Sequence, residues 1–219
     1  MSHCNIIARA SGESKYVSPK LLVLLDMNGT IILRSDSKVK SKQPEFRHNE
    51  KYYYIRDYAK SLIMFLLENR EFIQIAFYTS MRYENAAPCV QSLVDEELYR
   101  DIYIYDRKFN KDDPLKRNKW DTMRNLPQLW AAEDTPAYGF TEYSTLMIDD
   151  SLSKMRDYPD NCLLIPEYTK ERASSDAEDT TLLTLINCLS EIVYIWKQGH
   201  EDIRIIMQAK SNFFREKLH

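Results

Sequence analysis

Residues Leu21–Leu25 are five consecutive branched aliphatics, in the stretch "KLLVLLDM", and they are followed at once by Asp26. A strand with one wet face alternates apolar and polar residues, whereas an unbroken apolar run of this length belongs to a strand covered on both faces. The pair Asn28-Gly29 that follows is the commonest two-residue hairpin signal and invites a second reading, a tight antiparallel turn. The missing alternation argues against that turn and places the nearby hairpin between Thr30 and Ile55, with "TIILRS" and "KYYYI" as its arms.

The rest of the chain repeats the strand-then-helix pattern. "FIQIAFYTS", "DIYIYD", "TLMIDDS" and "NCLLIP" are short apolar strands. Between them, Ala59, Leu62, Ile63, Leu66 and Leu67 repeat at helical spacing after Asp57, a residue suited to cap a helix start. One helix is expected through "ENAAPCVQSLVDEEL", a short one over "NKWDTMRNLPQLW", and two more over "TTLLTLINCLSEIVYIWKQ" and "DIRIIMQAKSNFF". Strands alternating with helices predict an α/β fold of the doubly wound, Rossmann-like kind, a parallel sheet with helices on both faces. Residues 1–18 read as a loose arm and 19–219 as one domain.

Charge and cysteine content narrow the function classes. Thirty Lys and Arg against 33 Asp and Glu give a net charge of −3, so a nucleic-acid partner has no global basic footprint to bind it. Cys4, Cys89, Cys162 and Cys188 form no Cys-x-x-Cys pair, which suits a reducing compartment rather than a disulfide or zinc framework. The first residues lack the apolar core of a secretory signal, and "LIMFLL" is too short to span a bilayer. The expectation is an intracellular protein, nuclear or cytoplasmic, with a mitochondrial address left open. Fifteen tyrosines are most simply strand residues.

In a doubly wound sheet, ligands bind beyond the carboxyl ends of the strands. Asp26, Thr79, Asp149 and Asp150 all fall at such ends. Taken singly each is ordinary: an acidic pair is most often a turn, and a lysine such as Lys119 is most often solvated. Their order is what carries information. Asp26-x-Asn28-x-Thr30, then strand-Thr79-Ser80, then Lys119 in "NKWD", then Ile148-Asp149-Asp150-Ser151 resembles the four motifs of the haloacid dehalogenase superfamily. With "DYPDNCLLIPEYT" and "DTTLLTLINCLSEI" added, the chain over about residues 20 to 210 is similar to the phosphatases of the RNA polymerase II C-terminal domain and their NLI-interacting-factor-like relatives.

That resemblance implies a Mg²⁺-dependent phosphoprotein phosphatase in which Asp26 attacks phosphorus and becomes an aspartyl phosphate. Asp26, Asp150 and the Asn28 backbone carbonyl would be hard oxygen ligands for one Mg²⁺. Lys119, with the Thr79 hydroxyl, Ser80 and the backbone of the Asp26–Thr30 loop, would hold the phosphate; Asp149 would orient Lys119 or the metal shell. The family pattern has an acid where this chain has Asn28, and that acid protonates the leaving oxygen and activates water. A carboxamide cannot do so, and general acid–base help is typically worth about 10²- to 10⁴-fold. Three readings therefore stand: a pseudophosphatase that binds a protein partner, a slow phosphatase, or an Asn introduced in place of a natural Asp. Arg56 matches the arginine of the family's Arg-Pro-Gly segment, but Asp57 and Tyr58 replace the other two residues.

The insertions are short. About Asp36 to Glu50 lies between the hairpin arms, and about twenty residues precede "TLMIDD". Neither can house a cap domain. An uncapped site favours a phosphorylated protein or peptide, at serine or threonine, over a small sugar phosphate.

Overall fold

The computed structural model describes residues 20–218, apart from 101, 116, 117, 119 and 120. The expected N-terminal arm and Cys4 lie outside the described residues; Cys89, Cys162 and Cys188 are buried and form no disulfide among the described residues. At the centre is strand β1 (Leu21–Leu25), every residue of it buried. Its side chains divide between two cores. Leu21, Val23 and Leu25 belong to the larger, and Leu22 and Leu24 to a second that contains Leu126, Leu129, Met147 and Met155. This two-sided burial is why the run shows no alternation.

After β1 the chain forms a small antiparallel sheet. Strand β2 (Ile32–Ser35) pairs with β4 (Lys51–Ile55), and β3 (Phe46–His48) joins the outer side of β4. Phe46 stacks on Tyr53 with ring centroids 4.6 Å apart. The tight turn of this flap is at Asn49 and Glu50, both in the left-handed region with φ of 46° and 60°. Asn28-Gly29 makes no hairpin turn. It begins a loop in which the amides of Thr30, Ile31 and Ile32 all point back to the Met27 carbonyl.

Helix α1 (Ala59–Glu68) buries Ala59, Leu62, Ile63 and Leu66. Asp57 does not cap it. The helix starts after Tyr58, at φ 64°, with no side-chain cap, while the Asp57 carboxylate accepts from Lys42 Nζ and the Asp179 amide. Strand β5 (Ile73–Tyr78) follows, then α2 (Tyr83–Leu93) and the one-turn α3 (Glu96–Tyr99). The single helix expected there is split because Val94 and Asp95 are both extended. Strand β6 (Tyr103–Tyr105) is next.

The larger difference is over residues 118–130, where one helix was expected. Thr122–Arg124 form β8, antiparallel to β7 (Asn110–Asp112), and only Leu126–Trp130 are helical, as α4. Pro127 sits in the first turn of α4, where a missing N–H costs nothing. The helix therefore begins too late to include Arg124.

Strands β9 (Thr145–Asp149) and β10 (Cys162–Leu164), then α5 (Lys170–Ala173), α6 (Thr181–Lys197) and α7 (Ile203–Leu218), complete the chain. The main sheet has the order β10-β9-β1-β5-β6 and is parallel throughout. Helices α1, α2 and α6 pack on one face, α4 and short turns on the other. From β1 the sheet is built outward in both directions, so the connections after β1 and β9 part and leave a crevice at the carboxyl end of the sheet.

Candidate active site

Asp26 lies directly beyond β1 and is 2% exposed, so its charge needs a partner inside the protein. The partner is Arg124, at the end of β8. Its Nη2 donates to Asp26 Oδ1 at 2.5 Å and to Asp149 Oδ2 at 2.7 Å, and Nε donates to the same Asp149 oxygen at 3.1 Å. The guanidinium lies over the Tyr78 ring, 4.7 Å from its centroid, and Nη1 reaches Asn110 Oδ1 at 3.3 Å. Asn110 in turn donates to the Thr79 carbonyl at 2.9 Å. One arginine thus ties the ends of three parallel strands, β1, β5 and β9, to the small β7–β8 ribbon. Burial opposes its charge, but Asp149 and Asp26 outweigh burial and hold its pKa above the ordinary value.

The outer side of the acid cluster meets Lys154, on the short 3-10 turn Leu152–Met155. Its Nζ is 3.8 Å from Asp26 Oδ2, 3.6 Å from Asp149 Oδ1 and 3.7 Å from Asp150 Oδ1. Burial raises the Asp149 carboxyl, yet Arg124 and Lys154 bring it below the usual carboxylate range. Asp150 goes the other way. Burial, and then the charge of Asp26, push its pKa up to about 7. The cluster of three acids holds more negative charge than its two cations offset.

The residues fit a divalent cation. Oxygens of Asp26, Asp149 and Asp150 lie within 4.8 Å of one another. Asp149 is already engaged by Arg124 and the Ser151 amide, whereas Asp150 Oδ1 is buried without a hydrogen-bond partner. Such an orphan oxygen beside a second carboxylate is what a hard cation satisfies. Gly29, at φ 91°, makes the approach possible: a Cβ there would stand 2.8 Å from Asp150 Cγ.

A crevice of about 1320 Å³ opens in front of these groups. Asp26, Asn28, Thr79, Ser80 and Lys154 line it, with Arg34, Arg82, Arg107 and Arg156 among the residues around them. Of the residues picked out from the sequence, Asp26, Asn28, Thr30, Thr79, Ser80, Asp149 and Asp150 all come to this end of the sheet. Thr30 Oγ1 is 3.4 Å from Asp26 Oδ2, the Thr79 hydroxyl accepts the Met81 amide at 3.1 Å, and Ser80 Oγ accepts from Thr122 at 3.2 Å. Asn28 is exposed, and its Oδ1 accepts the Arg34 amide of β2 at 2.8 Å. Lys119 lies outside the described residues. The cations that reach Asp26 among the described residues are Arg124 and Lys154, and sequence reasoning missed both. Pro127 was a signal for the first, since it dates the helix start and leaves Thr122–Arg124 for a strand.

Arg56, whose role the sequence left open, is a staple behind the site. It is 1% exposed and donates to Asp179 at 2.9 Å, the Thr30 carbonyl at 3.0 Å and the Pro166 carbonyl at 2.9 Å. It therefore fixes the loop after β1 to the segment after β10 and to the start of α6.

The model of the NLI interacting factor-like phosphatases matches residues 20–204. The chain belongs to this family. As an NLI-interacting-factor-like chain it sits within the haloacid dehalogenase superfamily, and its parallel sheet is the fold expected there. An uncharacterized FCP1 homology domain-containing protein of Schizosaccharomyces pombe is 20% identical over 194 residues, 85% of this chain and 77% of that one. The solved structure of Fcp1, an essential RNA polymerase II CTD phosphatase, superposes with a TM-score of 0.54 at 15% identity, over 85% of this chain and 69% of that one. Fission yeast Fcp1 in an arginine-to-alanine variant bound to beryllium fluoride gives the same TM-score at 13% identity. These two likenesses show the fold of the NLI-interacting-factor-like chain. No helix among its described residues is long and apolar enough to cross a membrane.

Proposed function

We propose that the chain is a phosphoprotein phosphatase-type domain with Asp26 as nucleophile, slowed by Asn28, acting on phosphoserine or phosphothreonine in a polypeptide. The carrying observation is the position of Asp26, held from behind by Arg124 on Oδ1 and lining the floor of the crevice in front. With Oδ1 held by Arg124, Oδ2, which faces Thr30 and Lys154, is the oxygen placed for in-line attack; its new bond to phosphorus replaces the bond to the seryl oxygen, which takes its proton from water. Water then cleaves the aspartyl phosphate and restores Asp26. A divalent cation held by Asp26 and Asp150, with the Asn28 carbonyl as third ligand, would offset the charge of the incoming phosphate dianion. Thr79 and Ser80 would hold phosphate oxygens by hydrogen bonds, and Arg124 would hold the nucleophile in line. A phosphorylated polypeptide as donor suits the open crevice, and Fcp1, a phosphatase of the polymerase C-terminal domain, suggests a similar phosphorylated chain and a nuclear setting.

Asn28 favours a second reading. Its carboxamide can neither protonate the seryl oxygen nor take a proton from water, and its acceptor oxygen is committed to Arg34. A domain that keeps the phosphate cradle but scarcely turns over would bind a phosphorylated partner instead. Hydrolysis of an aryl phosphate with Mg²⁺ separates the two, with Asp26→Asn as blank. Asn28→Asp is expected to raise the Asp26-dependent rate by about 10²- to 10⁴-fold. If it yields no turnover above the blank, the phosphatase reading fails; if the native chain is already fast, the binding reading fails.

A further inference from the structure

Lys154 is a charged group at the acid cluster that neither the family motifs nor the proposed chemistry uses. Its ammonium is nearly equidistant from Asp26 Oδ2, Asp149 Oδ1 and Asp150 Oδ1, at 3.8, 3.6 and 3.7 Å. All three separations are longer than a hydrogen bond, so Lys154 is not locked to any one acid. It faces the three carboxylates as a point charge, and one of them, Asp150 Oδ1, has no hydrogen-bond partner. Its side chain is 24% exposed, the most open of the five charged groups, and it lines the crevice with Ser151 and Ser153. Arg124, in contrast, is 1% exposed and bonded on every side of the cluster it touches.

We propose that Lys154 and a divalent cation are alternative counter-charges for one set of carboxylate oxygens, so that Lys154 sets how tightly the metal binds. The inference rests on the reading of Asp26 and Asp150 as metal ligands. With no divalent ion, the ammonium offsets part of the charge that Arg124 leaves over. A divalent ion close to Asp26 and Asp150 is repelled by an ammonium held against the same oxygens, so binding it costs the energy of displacing Lys154. The flexible four-carbon stem allows that displacement, where a buried bidentate arginine does not. The result is a site of reduced metal affinity, filled only when the metal is plentiful or when a phosphate brings further negative charge.

The test is Mn²⁺ binding to the full chain, measured at one pH and low salt by the paramagnetic resonance of free Mn²⁺. Lys154→Met is expected to bind Mn²⁺ at least about tenfold more tightly than the native chain. Lys154→Arg, which keeps the charge and is harder to displace, is expected to bind Mn²⁺ no more tightly than the native chain. Lys154→Gln gives the same reading as the methionine variant should that one not fold. Neutral variants that bind no more tightly overturn the inference, as does an arginine variant that tightens as much as they do. Asp150→Asn separates this from the underlying site: if it abolishes native binding, the metal site stands however Lys154 behaves. If no form of the chain binds Mn²⁺, the metal site falls, and the role of Lys154 with it.

Discussion

Arg124 Nη2 stands 2.5 Å from Asp26 Oδ1, and neither side chain is more than 2% exposed. Removing a partner from a buried pair leaves an uncompensated charge, typically at a cost of about 3–5 kcal/mol. Here two acids lose their partner at once, Asp26 and Asp149. Arg124→Ala is expected to destabilise the fold by at least that amount, read as a lowered urea midpoint. Arg124→Lys keeps a charge but cannot bridge both acids, so it should fall between the two.

Gly29→Ala tests the approach of the loop to Asp150. The added Cβ meets the Asp150 carboxylate and sits at a left-handed φ of 91°, a conformation that costs a non-glycine residue about 1–3 kcal/mol. The fold is expected to survive with a lower Tm. Mn²⁺ binding should drop well below that of the native chain, because Asp150 must move.

Arg56 and Asp179 predict an acid dependence remote from the crevice. Burial raises the Asp179 carboxyl, but its bond to Thr181 and the charge of Arg56 bring it below the usual carboxylate range. An acid depressed in the folded state adds stability above its unfolded pKa and loses it as the pH falls through the folded one. Asp179→Asn should therefore be less stable than the native chain at pH 7, by about 3 kcal/mol. The gap should begin to narrow below about pH 4, where the unfolded aspartate takes up its proton, and close as the pH falls through the lower folded value. Urea midpoints of both forms across pH 2.5 to 7 check the sign.

The flap turn offers a gain. Glu50 holds φ at 60°, where an L side chain is strained and Asn-Gly is the preferred pair. Glu50→Gly relieves that strain but loses more chain entropy on folding, so it is expected to add about 0.5–1 kcal/mol of stability, seen as a raised Tm.

Legibility followed burial. Leu21–Leu25, the Ala59–Leu66 face and the α6 periodicity could be read because each is a pattern over several residues packed on a core. Asp26, Thr79, Asp149 and Asp150 could be grouped because strand ends converge wherever the sheet is parallel. Arg124 could not, because β8 is three residues long and its pairing with β7 is non-local; local periodicity around "NKWDTMRNLPQLW" favoured a helix. Lys154 was hidden for a different reason. A lysine four residues after an acid is usually solvated, and only the curl of the 3-10 turn sends this one back toward Asp26. Asp57 looked like a cap because it precedes the helix, but Lys42 and the Asp179 amide claim its oxygens.

The crevice has a dry back and a wet front. Behind Asp26 the counter-charge is sealed from solvent, while at the mouth Arg82 has a side chain 75% exposed. Dissolved ions screen exposed charges over about 8 Å at physiological strength but scarcely reach buried ones. Added salt should therefore loosen the grip on an anionic visitor without disturbing the alignment of the carboxylate that receives it, separating capture from reaction by ionic strength alone.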